Sequence, residues 1–288
     1  MKKILILGTA GMAGHVIAEY LSCQPEYEII RCARSALTPD TIVLDVIEFL
    51  RLEDVLSDRK PDFVINCVGM LVQASQDRVD QAILTNSYLP HFLSRLGRKY
   101  GFKLIHISTD CVFSGNRGAY SEDDFRDGNT AYARTKALGE VNNDIDLTLR
   151  TSIIGPELKL DGTGLLHWLL MQKGEIKGYS KAYWSGVTTL ELAKVVVHCI
   201  DSGVRGLVNL TMSRKISKFD LLIECQKVWK HGKVRIIPDD THSSDKSLVT
   251  LRTDLPYQLS PTYTVMLNEL REFMNQHRDW YHHYLFSN

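Results

Sequence analysis

Short apolar runs alternate, through the first half of the chain, with longer stretches whose apolar positions recur every three or four residues. KILIL (3–7) reads as a buried strand and 12–23 as the helix that follows it. YEIIRC (27–32) and TIVL (41–44) read as a second strand and a short third. Helical spacing returns over 46–56, where Asp45 and Glu48 have the offset of a capping box. DFVINCVG (62–69) is a fourth strand, and 77–100 has a helical period in which Pro90 predicts a break or kink. KLIHIS (103–108) is the fifth strand, 131–141 a helix and LTLRTS (147–152) the sixth strand. Repeated βαβ units with near-continuous Val/Ile/Leu strands predict an α/β fold, a doubly wound parallel sheet.

Beyond Ser152 the pattern loosens. Helical spacing covers 165–172, 190–200 and 217–229, with strands at GLVNL (206–210) and VRIIP (234–238). The polar run DDTHSSDKS reads as a loop, and Ser260 as the cap of a last helix with Pro261 in its first turn. This half is too short for a second unit of the same kind. The expected organisation is a first, doubly wound domain over 1–155, rejoined by about 182–212. Segments 156–181 and 213–288 then form a smaller C-terminal lobe over the open edge of the sheet.

Charge narrows the partners. The chain has 34 basic and 34 acidic side chains, which gives no electrostatic reason to expect nucleic acid or an anionic membrane. No apolar run reaches 18 residues, so no membrane insertion is expected. ILIL runs straight into a glycine-rich turn and reads as a first strand rather than a leader. The six cysteines form no C-x-x-C and have no histidine at ligand spacing, so reduced thiols in the cytoplasm and no metal are expected.

Between the first strand and first helix, GTAGMAG places Gly8, Gly11 and Gly14 as G-x-x-G-x-x-G. A packing turn would explain the glycines alone. A strand before, a helix after and further βαβ units favour a dinucleotide site, with the pyrophosphate at the helix N-terminus. An acidic residue usually grips the ribose 2′-hydroxyl of NAD. Here 29–39 holds no Asp or Glu, and Arg31 and Arg34 are available for a 2′-phosphate, which favours NADP(H) over NAD(H).

Tyr132 and Lys136 are the chain's only Y-x-x-x-K pair and share one helix face. Chance alone supplies about one such pair in a chain of this composition, so position must carry the argument. The pair follows the fifth strand, beside the open end of the sheet. There an ammonium could lower a phenol's pKa and let it exchange a proton with a carbonyl or alcohol during hydride transfer. STDCVFSG (108–115) ends that strand in three hydrogen-bonding side chains, each a cap or a ligand contact. Thr109 stands where its hydroxyl could bond the oxygen that Tyr132 protonates.

Together, G-x-x-G-x-x-G, S-T-D-x-V-F-x-G, YARTKALGE and LRTSIIG resemble the extended short-chain dehydrogenase/reductases. Within them the nearest resemblance is to the dTDP-4-dehydrorhamnose reductases and related nucleotide-sugar 4-ketoreductases. It spans essentially the whole chain, most strongly as far as Gly155. It implies a Thr109–Tyr132–Lys136 catalytic set: Tyr132 as the acid toward O4, Lys136 tuning it and binding the nicotinamide ribose, Thr109 orienting the ketone. It also implies that Gly8, Gly11, Met12 and Ala13 wrap the pyrophosphate, that Cys67, Val68 and Gly69 line the cofactor, and that Asp45 and Val46 sit by the adenine. The implied partner is a nucleotide-linked 4-keto-6-deoxyhexose destined for polysaccharide or deoxysugar synthesis, and a homodimer is compatible with it.

Departures reshape the pocket without removing a catalytic group. Cys111 stands where these reductases usually carry Tyr, and Met12-Ala13 where they carry Gln-Leu. Dehydratases of the superfamily have Asp-Glu after the threonine, and Asp110-Cys111 argues against that chemistry. A 4-epimerase, and a non-catalytic NADP-binding subunit like the regulatory subunit of methionine adenosyltransferase, are the other readings. His106 reads as a strand residue packed under a helix, RDWYHHY (278–284) as the amphipathic face of a closing helix, and Tyr183 and Trp184 as core.

Overall fold

The computed structural model describes residues 1–255 and 257–284. Strand β1 (Lys2–Leu7) leads through the glycine turn into α1 (Met12–Ser22), then β2 (Tyr27–Ala33), β3 (Ile42–Val43), α2 (Phe49–Arg59) and β4 (Phe63–Asn66). Short helices α3 (Val72–Asp77) and α4 (Val79–Ala82) pass through a π-helical turn, Ile83–Tyr88, into α5 (Leu89–Tyr100). After them come β5 (Lys103–Thr109), α6 (Ala131–Leu138), β6 (Leu147–Thr151), β7 (Ile153–Ile154), α7 (Leu165–Met171), β8 (Gly174–Trp184), β9 (Val187–Thr188), α8 (Thr189–Ser202) and β10 (Gly206–Asn209). The chain ends with β11 (Ile216–Ser217), α9 (Lys218–Val228), β12 (Val234–Asp245) and α10 (Tyr263–Gln276).

Seven strands form one parallel sheet in the order β10-β6-β5-β4-β1-β2-β3. Both faces are covered, which is why its strands are built around apolar runs. Ile4 and Ile6 join the core beneath α1 and α8, while Leu5 and Leu7 join the opposite core beneath α2 and α5. The strand order reverses between β1 and β4. Ligands of open α/β sheets bind outside the carboxyl ends of the strands at such a point.

Four local expectations are corrected. Helix α2 starts at Phe49 rather than 46: Glu48 does reach back to the Asp45 amide, but Asp45 Oδ1 accepts from Ile47 in a turn that precedes the helix. The helical 77–100 segment breaks at Arg78, before Pro90 is reached. Pro90 lies in the first turn of α5 and has no amide to offer its i−4 carbonyl, that of Asn86. Gly139 packs closely against that carbonyl, where a Cβ would stand 1.9 Å from the oxygen. The polar run 239–245 is strand, not loop. It continues β12 along β8 across a register shift between Asp239 and Ser243, an exposed edge that needs no apolar alternation. Thr262, not Ser260, caps α10 through the Val265 amide, and Ser260 instead bonds Glu191 and Glu269.

A second sheet, β11-β8-β12, lies in the C-terminal half. Its centre, β8, was not expected. Ile176, Gly178, Ala182 and Trp184 do alternate inward, but a glycine among them and outward tyrosines beside the lysines mask the period. The last turn, Arg278–Trp280, brings Tyr281 onto His15 of α1 and Tyr284 onto His167 of α7, each at 2.8 Å.

Candidate active site

Gly8, with φ +88°, turns the chain out of β1, and a Cβ there would meet Val68 at 3.0 Å. A Cβ on Gly14 would lie 2.1 Å from the Gly8 carbonyl oxygen, so the helix can close on the turn only with glycine there. Helix α1 has Gly11 at its N-cap, no side-chain cap and no acidic residue in its first turn. Its leading amides, at Met12 and Ala13 among them, are therefore open to an anion. A dinucleotide pyrophosphate fits this cradle. Cys67, Val68 and Gly69 follow β4 alongside it: Cys67 donates to Leu7, and Gly69 approaches Asn86 Oδ1. Asp45 and Val46 follow β3, with Val46 buried. The two arginines differ. Arg31 is held by Ser22, Asp40 and Glu19 at 2.7, 3.4 and 3.8 Å, whereas Arg34 is exposed and in no ion pair among the described residues.

At the end of β5 the three consecutive polar side chains divide their tasks. Ser108 turns inward and donates to Glu140 at 2.7 Å. Thr109 caps the next turn, its hydroxyl accepting from the Cys111 amide at 3.1 Å and donating to Asp110 at 3.2 Å. Asp110 is buried, and that burial raises its carboxyl pKa against the pull of Lys246 and Lys218. Ser108 is thus structural, and Thr109 caps the turn with its hydroxyl at the carboxyl end of the strand.

Helix α6 starts at an N-cap, Thr130, that bonds the Ala133 amide, and it presents Tyr132 and Lys136 on the face toward β5. The Tyr132 phenol lies beside the Thr109 side chain. Burial, reinforced by the neighbouring Cys111 and Asp110, holds the phenol above its ordinary pKa, against the opposing influence of Thr109. Lys136 does not oppose this shift. Its Nζ donates to the Ile107 carbonyl at 2.8 Å, beneath the strand, so the expected lowering of the tyrosine by its lysine is absent in this state. The result is a protonated phenol, ready to donate. Burial brings Lys136 down to about 8, opposed by Glu140 and Cys67. The Cys111 thiol, beside Tyr132, is pushed up to about 11, again chiefly by burial.

Two supports escaped the sequence reading. Glu140 and Arg150 are a fully buried bidentate pair, at 2.7 and 2.8 Å, and Arg150 also donates to Asn209 of β10 and lies over Phe113. Both stand inside the quoted motifs, but their partnership joins the segment after α6 to β6. Asn86, on the π-helical turn, ties Met70 and Ser75 to Thr135 of α6. Its π-helical setting has no simple sequence signal.

Over residues 1–248 the chain matches the family described as RmlD substrate binding domain. It is 29% identical over 205 residues to the spore coat polysaccharide biosynthesis protein SpsK of Bacillus subtilis, covering 68% of this chain and 69% of that one. It is 25% identical over 272 residues to a dTDP-4-keto-6-deoxy-D-glucose reductase of Streptomyces niveus, covering 91% and 87%. A dTDP-4-dehydrorhamnose reductase of Bacillus anthracis, solved in complex with NADP, superposes with a TM-score of 0.80 at 20% identity, over 95% of this chain and 99% of that one, a likeness of fold. A doubly wound sheet, a glycine cradle at its switch point and a tyrosine–lysine helix beside it, together with a family match across most of the chain, make this protein a member of the RmlD substrate-binding-domain family of extended short-chain dehydrogenase/reductases.

Proposed function

We propose that the protein reduces the 4-keto group of a nucleotide-activated 6-deoxyhexose with NADPH, in deoxysugar supply for a polysaccharide. One observation carries the reading: the protonated Tyr132 phenol and the Thr109 hydroxyl meet at the carboxyl end of β5, with Lys136 one turn along the same helix. Bound nicotinamide supplies the hydride. Thr109 orients the ketone oxygen, and Tyr132 donates its proton to that oxygen as the hydride arrives at carbon. Lys136 offsets the negative charge left on the phenol. The lobe formed by 156–181 and 213–288 holds the nucleotide sugar. The names of the Streptomyces and Bacillus subtilis relatives fit this substrate class and destination. The six cysteines are unpaired, which suits the reducing cytoplasm, and no described helix is long and apolar enough to cross a membrane.

The test is to mix the protein with NADPH and a dTDP- or UDP-linked 4-keto-6-deoxy sugar and follow cofactor absorbance. Oxidation matched by a 4-hydroxy product supports the reductase. An isomer formed without net NADPH loss supports an epimerase, and cofactor binding without turnover supports a regulatory subunit. Arg34, the free cation at the end of β2, is the residue proposed for the 2′-phosphate. Arg34→Ala should raise the KM for NADPH by about tenfold, leaving that for NADH unchanged, as the loss of one charge-assisted hydrogen bond predicts. Arg31→Ala should act less selectively, because Arg31 already serves Glu19 and Asp40.

A further inference from the structure

Behind Lys136 lies a polar chain that the reaction as described does not use. Asn66, the last residue of β4, and His106, in the middle of β5, are both wholly buried. Asn66 Oδ1 accepts from the Val68 amide at 3.1 Å, which fixes the orientation of the side-chain amide. Its Nδ2 therefore points at His106 Nδ1, 3.2 Å away, and must donate to it. Burial, Lys136 and His91 all disfavour the imidazolium, so the ring is neutral and carries one proton. With Nδ1 accepting, that proton is on Nε2. Nε2 lies 3.5 Å from Lys136 Nζ.

Lys136 thus faces an acceptor on one side, the Ile107 carbonyl, and a donor on the other. An amine satisfies both, giving one N–H and offering its lone pair. An ammonium would set N–H against N–H. The other titratable groups acting on Lys136 are Glu140, just beyond the end of α6, and Cys67, the residue after β4, and both favour the charged form. Glu140 already serves Arg150, Ser108 and Arg126. Cys67 is a thiol pushed up to about 12 by burial and carries no charge at neutral pH.

We propose that His106, locked by Asn66 as the Nε2–H tautomer, is a positioning residue that holds Lys136 and sets the pH at which it gains its charge. The activity arm of this inference rests on the proposed reductase function; the tautomer and the lysine titration do not. If the ammonium is the working form, activity falls as pH rises through the titration of Lys136, and His106 determines where that limb lies.

Asn66→Asp is the decisive variant. A carboxylate can accept from Val68 with one oxygen and from His106 Nδ1–H with the other, which inverts the tautomer and turns the Nε2 lone pair toward Lys136. Nitrogen NMR of ¹⁵N-histidine-labelled protein reads the tautomer. Carbon NMR of lysine labelled at Cε, assigned by its absence in Lys136→Met, reads the titration. We expect Nε2–H in the parent, Nδ1–H in Asn66→Asp, and a Lys136 midpoint raised by at least one pH unit, about tenfold in proton affinity. Any limb in the rate–pH profile should move with it. The added charge also acts directly, so the same change is made in a His106→Phe background, where the shift should fall below half. An Nδ1–H tautomer in the parent overturns the proposal, as does a midpoint unmoved by Asn66→Asp or a shift equal in both backgrounds. Absence of turnover with the NMR results as expected would overturn the reductase reading instead.

Discussion

Tyr132→Phe should lower kcat for keto-sugar reduction by about 10³-fold, within the range lost when a positioned acid is removed. Binding of NADPH should survive. The tyrosine is half-buried and its hydroxyl lies beside Thr109, Cys111 and Asp110 without anchoring another element among the described residues, so the ring can stay in place without it. The raised pKa gives the result its sign. Burial beside Cys111 and Asp110 keeps the proton on the phenol throughout the neutral range, so Tyr132 begins the reaction as an acid and phenylalanine removes the donor rather than a base. Steady-state rates and a fluorescence titration of NADPH on the same preparation separate the two effects. A variant retaining more than a tenth of the parent kcat would show that another group supplies the proton.

The second large effect is on stability. Glu140→Leu should destabilise the protein by about 3–5 kcal/mol, the cost of leaving one partner of a buried pair uncompensated, and lower Tm by on the order of 10 °C. Arg150 is fully buried and donates to Glu140 through two nitrogens, so the change strands a guanidinium that water cannot reach. Pairing it with Arg150→Met should restore most of the loss, because two apolar groups of similar volume carry no desolvation penalty. Thermal unfolding of both variants and of Arg150→Met alone completes the cycle. Activity should not recover with stability. Glu140 also holds Ser108, the residue before Thr109, and without it the end of β5 loses the anchor that aims the threonine hydroxyl. A double variant as active as the parent would show that Thr109 is positioned by the sheet alone.

Much of the first half was legible because its signals are local. β1, β2, β5 and β6 stand within a residue of their predicted runs, since strands covered on both faces concentrate Val, Ile and Leu in short blocks. The second half was less legible for the opposite reason. β8 and the outer part of β12 form an open sheet beyond the main core, and Gly178, Ser180 and the polar stretch 239–245 sit in strands that only their hydrogen-bond partners identify. The same division runs through the site. The glycine turn and the tyrosine–lysine spacing are short-range patterns, visible in a few residues. The π-helical turn that carries Asn86 lies just before Pro90 and against Gly139, and those two residues are far apart in the chain.

What the amino-acid sequence determined by itself is the alternation of buried strands and amphipathic helices, the tight turn at Gly8, and the placing of Tyr132 and Lys136 on one helix face. Each follows from sterics and periodicity within a single turn or strand. Only the tertiary structure decided that Ser108 serves Glu140 rather than a ligand, that Arg31 is occupied while Arg34 has no ion pair among the described residues, that Tyr132 keeps its proton, and that Lys136 turns to Ile107 and His106. Those outcomes depend on which distant groups share a buried space, because desolvation and hydrogen-bond partnership act through three-dimensional neighbours and not along the chain.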